Sequence, residues 1–119
     1  MLGDFMDREQ IEKMSRDYGM LQEQRQSLAI QREQLSNQKL ELENAAKEVE
    51  KASGKIYQAI GNTFIEVEKD HALKRIKESA ETVELHFNMV SKQYDETTKK
   101  ELSLRNEINA AMKGGGGVK

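Results

Sequence analysis

Two apolar ladders of equal length, mirrored about Gly61, constrain this chain more than any other feature. Each climbs in alternating steps of three and four residues for about 39 positions. The first runs Ile11, Met14, Tyr18, Leu21, Arg25, Leu28, Arg32, Leu35, Lys39, Leu42, Ala46, Val49. The second runs Leu73, Ile76, Ala80, Val83, Phe87, Val90, Tyr94, Thr97, Glu101, Leu104, Ile108, Ala111. This spacing keeps the side chains on one stripe of an α-helix, and two such stripes exclude water by packing on each other. The mirror symmetry makes the pairing antiparallel, so Val49 faces Leu73, Leu35 faces Phe87, Leu28 faces Tyr94 and Met14 faces Ile108. Each arm is then roughly 58 Å long, a tentacle with both chain ends at its far tip.

A balance of 36% apolar against 34% charged residues, with a mean hydropathy of -0.83, leaves too little apolar surface for a deep spherical core. Disorder and a coiled coil both accommodate such a balance, and the sustained repeat selects the coiled coil. The chain has no proline, and one inside either arm would cost about 3 kcal/mol. It has no cysteine either, which removes disulfides, thiolate catalysis and zinc ribbons together. The opening residues contain neither a basic segment nor an apolar run, and nothing approaches the length of a membrane span, so a cytoplasmic protein without membrane association is expected. The net charge of -2 is spread evenly and forms no basic stripe, which argues against nucleic acid as a partner.

Asp7, three residues before Gln10, is placed to cap the first helix. Gly54 is placed as a left-handed residue ending it. The expected organisation is a single domain over 1–119: helix 1 about 8–52, a β-hairpin about 55–68, helix 2 about 70–112 and a flexible glycine-rich tail over 113–119.

Helix-to-helix connections usually take roughly two to eight residues, yet 16 residues from Gly54 to Lys69 separate the ladders. Within them, Ile56-Tyr57-Gln58-Ala59-Ile60 and Thr63-Phe64-Ile65-Glu66-Val67 flank the pair Gly61-Asn62, a two-residue hairpin turn. With that turn Ile60 faces Thr63, Gln58 faces Ile65 and Ile56 faces Val67. Ile56, Ile60, Ile65 and Val67 then share one face, with Tyr57, Ala59 and Phe64 on the other. A lone hairpin is marginal in water, and this one has apolar side chains on both faces and two open edges. It therefore predicts association through Ile56, Tyr57, Ile60, Phe64, Ile65 and Val67. The plainer alternative is an irregular apolar loop tucked over the root of the coil.

These residues resemble the β-class subunits of prefoldin. The pattern of long helix, Lys55 to Asp70, and equally long helix is similar to that family's single-hairpin core over about residues 10 to 112, with Tyr57, Gly61 and the Phe64 to Lys69 run as its most specific parts. The resemblance implies an α+β, predominantly helical chain: a long antiparallel two-helix coiled coil with one β-hairpin at its root that assembles into an oligomeric β-barrel. It also implies the company the chain keeps. Two two-hairpin α-class subunits and four single-hairpin β-class subunits would form a hetero-hexamer, with a β-only oligomer as the other arrangement. Such an assembly is an ATP-independent holdase that captures unfolded polypeptides at the coiled-coil tips and passes them to a group II chaperonin.

Client capture requires apolar surface that is accessible and adaptable. From the root toward the termini, the ladder pairs Arg25 with Thr97 and Leu21 with Glu101. Polar members weaken a seam, and Gly19 nearby costs the helix about 1 kcal/mol relative to Ala. Arg32 and Lys39 sit on other rungs, where their stems can pack while their charges reach water. Five of the six methionines lie in the terminal portions, and Met suits promiscuous binding surfaces. Leu2, Phe5, Met6, Met14, Met20, Ile108 and Met112 are therefore the expected client-binding residues.

Catalysis finds no support. His71 and His86 would lie about 22 Å apart along one helix, too far to share a metal. Gly54-Lys55 lacks the remainder of a phosphate loop, with Val49 and Ile56 where Gly and Ser or Thr are needed. No nucleophile, base and orienting group converge, so neither an enzyme nor a cofactor or metal site is expected. Two other readings compete: a structural coiled-coil adaptor or scaffold, which would not need the hairpin, and a periplasmic tentacled holdase, which would need an export signal.

Overall fold

The computed structural model describes the backbone of residues 2–117 and the side chains of residues 8–113. Four elements follow in chain order: α1 (Leu2–Lys51), β1 (Ile56–Ile60), β2 (Thr63–Val67) and α2 (Lys69–Gly117). Both helices are rich in Leu, Glu, Gln, Lys, Arg and Ala, which lose little side-chain freedom in a helix. Lys51 in the last turn of α1 and Asp70 in the first turn of α2 complement the helix dipoles.

Contacts divide the chain into two compact units, one of Gln31–Met89 and one of Met1–Ile30 with Val90–Lys119. In each, a segment of α1 lies along a segment of α2. All 24 predicted ladder positions are half-buried or buried, which places the seam where the periodicity puts it. The core is one layer deep. Leu28, at 8% exposure, is the only apolar side chain that counts as buried among the described residues.

In the Gln31–Met89 unit, β1 and β2 pair antiparallel with Ile56 opposite Val67, Gln58 opposite Ile65 and Ile60 opposite Thr63. The irregular loop is thereby excluded. Gly61 has φ of 60°, and no non-glycine residue among those described has positive φ. Positive φ at the first central position alone is the type II′ turn, whose twist matches that of the flanking strands.

Three local expectations change. Gly54 is not left-handed, since Gly61 is the only glycine with positive φ among the described residues. The end of α1 is closed differently, by Ala52 N–H donating to the Glu48 and Val49 carbonyls at 3.0 and 3.2 Å and by the Lys69 ammonium. Asp7 lies within α1, which begins at Leu2, and its side chain is outside the described residues. The backbone of the expected tail is helical from Lys113 as far as Gly117, while Val118 and Lys119 lie outside the described residues. Glycine lowers helix propensity by about 1 kcal/mol per residue without forbidding helical φ and ψ.

Candidate functional site

The hairpin has a partly covered face and an open one. Ile56, Gln58 and Val67 are half-buried at its base, beside a cavity of about 390 Å³ lined also by Leu42, Ala45, Val49, Ala72 and Ile76 of the two helices. Farther from the helices, Ile60 and Ile65 of the same face are exposed. On the opposite face Tyr57, Ala59 and Phe64 are all exposed, and Phe64, at 73%, is the most open of the large apolar side chains described. Lys55 pairs with Glu66 across the strands at 3.6 Å, both side chains well in solvent, where such a pair contributes little. The six residues expected to drive association thus split: Ile56 and Val67 pack toward the helices, while Ile60 and Ile65 on that face and Tyr57 and Phe64 on the other stay exposed.

The second expected surface lies in the unit that contains both ends of the chain. Met20 is 67% and Met112 57% exposed. Met14 and Ile108, in contrast, are half-buried seam rungs, and their side chains are shared with the coil. Leu2, Phe5 and Met6 lie outside the residues whose side chains are described. Beside Met20 runs an open groove of about 440 Å³ with Leu21 and Leu104 at its floor and Asp17, Gln24, Lys100, Ser103 and Glu107 around it. The contribution of Leu21 and Leu104 was not legible from the ladder, which marks seam positions but not the side clefts beside them.

In each unit a polar rung is closed rather than open. Arg25 Nε donates to Glu101 Oε1, one helical turn beyond the rung facing Arg25, and Thr97 and Glu101 are among the most buried residues described. The hydrogen bond that Arg25 donates to Glu101 and the negative charge of that carboxylate push the guanidinium above its ordinary value, against an opposing desolvation effect and with a smaller contribution from Tyr94. A paired charge at a seam position adds little over an apolar pair but fixes which rungs align. Lys39 does not simply reach water: its ammonium meets Glu84 and lies 5.9 Å from the Phe87 ring centre. Hydrogen bonding to Glu84 raises its pKa above the usual lysine value against an opposing desolvation effect. Exposed apolar residues off the ladder, including Ile30, Leu40, Leu85, Met89 and Leu102, were not anticipated.

No group of three or more metal-binding side chains occurs among the described residues, and no helix among them is long and apolar enough to cross a membrane.

Two long helices joined through a two-stranded antiparallel hairpin with open edges define a class of coiled-coil subunit with a built-in sheet edge. The family model described as Prefoldin subunit matches residues 9–115, and the chain belongs to that family. Among solved structures, it is similar to the prefoldin beta subunit from Thermococcus strain KS-1, with 25% identity and a TM-score of 0.80 over 86% of this chain and 91% of that one. No curated protein matches the sequence. The single hairpin agrees with the β-class pattern, and membership of this family, a non-enzymatic chaperone family, carries a chaperone-type role in association with other prefoldin subunits.

Proposed function

We propose that residues 1–119 act as one module, a β-type subunit of an ATP-independent holdase in the cytoplasm. The observation that carries this reading is the exposure of Tyr57, Ile60, Phe64 and Ile65, on both faces of a two-stranded sheet with open edges. Partner hairpins cover those residues and continue the sheet into a barrel, either from two α-class and four β-class subunits or from β-class copies alone. The exposed Met20 and Met112, together with the groove floored by Leu21 and Leu104, support client contact in the unit that holds both chain ends. Non-native polypeptides captured there pass to a group II chaperonin.

Two measurements test the two halves of this reading. The mass in solution, alone and after mixing with an α-class subunit, should exceed that of one chain, and a monomer in both cases would overturn the assembly. Deleting residues 1–9 and 112–119 should abolish suppression of an unfolded protein's aggregation while leaving the oligomer intact. Undiminished suppression would remove the client site from the tips.

A further inference from the structure

The two ends of the hairpin are tethered unequally. On the exit side a single residue, Glu68, separates β2 from α2. On the entry side four residues, Ala52 to Lys55, lie between α1 and β1. Glycine 54 in that connector has open space around it, so side-chain packing does not stiffen the connector there. A sheet that recruits partners through its edges needs a defined orientation, because every residue ordered only on association subtracts from affinity. Something must hold the entry side.

Lys69 does so. It is the first residue of α2, where a cation is disfavoured by its own helix, whose exposed N–H groups already present positive charge. Its ammonium instead reaches the other helix, donating to Glu50 O at 2.7 Å and Ala52 O at 3.2 Å. The last carbonyls of a helix lack partners within it and carry its negative pole. A lysine misplaced on α2 is therefore well placed for α1, and it spans the loose connector in one step.

We propose that Lys69 is a positioning residue for subunit assembly: it latches the end of α1 to the start of α2 and so holds the hairpin between them in the orientation its partners require. The inference rests on the proposed assembly through the hairpin. Lys69→Met keeps roughly the length of the apolar stem and the helix propensity and removes the donors. In the full-length chain it should weaken association about tenfold, the weight of a charged hydrogen bond, with circular dichroism unchanged. Exchange of the Ala52 amide, which donates to Glu48 O, should quicken by a similar factor. Lys69→Arg should restore both, since guanidinium can also donate to two carbonyls. Wild-type association by Lys69→Met, or failure of Lys69→Arg to restore it, would overturn the latch. If the wild-type chain never associates, the assembly reading falls separately, and unchanged Ala52 exchange in Lys69→Met would still overturn the latch.

Discussion

Replacing Phe64 by Ser separates the stability of the chain from the stability of its assembly. A phenylalanine side chain presents roughly 200 Å², and Phe64 keeps 73% of its surface in water. About 150 Å² thus remains to be buried by a partner, worth at most about 4 kcal/mol at 25 cal/mol per Å². Allowing for incomplete burial, Phe64→Ser should cost about 2–4 kcal/mol per interface, which corresponds to a dissociation constant roughly 30- to 1,000-fold higher. Within the isolated chain only about 50 Å² is already covered, so the same substitution should cost no more than about 1 kcal/mol of folding stability. Sedimentation velocity across a concentration series reads the first quantity, and thermal unfolding followed by circular dichroism below the association range reads the second. Association within threefold of wild type would refute the idea that the open face is the contact surface. A folding loss above about 2 kcal/mol would show instead that Phe64 belongs to a core.

The remaining predictions concern the seam. Leu28→Ala removes the one buried apolar rung and should cost about 2–3 kcal/mol, at the low end because a single-layer core can partly collapse around the gap. The melting temperature should fall by about 10 °C, whereas Leu40→Ala, at a residue 55% exposed, should change it little; equal effects would contradict the assigned seam. Gly19→Ala adds a methyl that meets nothing within 4 Å at a residue whose φ is not positive, and should raise stability by about 0.5–1 kcal/mol, measured by denaturant midpoint. Destabilisation would reveal a conformation that Ala cannot adopt. Lys39 gains a partner in Glu84 and its pKa is raised above 10.5, so the pair's contribution is fully present below the unfolded lysine value and is lost as pH rises through the folded one. Melting curves of wild type and Lys39→Met should therefore differ by a constant amount from pH 7 to 9 and converge only above about pH 10.4; convergence already at pH 8 would contradict the pairing.

Most of the architecture was legible in one dimension because its determinants are local and periodic. The 3,4 spacing assigned all 24 seam positions, and Gly61-Asn62 between two β-branched runs set the turn and the register of Ile56 to Val67. Arg25 illustrates the limit. The ladder faces it with Thr97, but a guanidinium on a long stem reaches one turn farther to Glu101, and side-chain reach is not periodic. Lys69 illustrates it again: its partners are backbone carbonyls, which carry no signature in the sequence, and glycine at position 54 suggested a different closure. Met14 and Met20 share a residue type and a neighbourhood, yet one is a seam rung and the other exposed.

The residues alone determined two mirrored helices and a central hairpin, because helical and strand periods are written into the spacing of apolar side chains. Which of those side chains remain wet was decided only in three dimensions. Exposure depends on what a second segment covers: alternation puts Ile56 and Val67 on one face and Phe64 on the other, but it does not say that the helices reach the first and leave the second open.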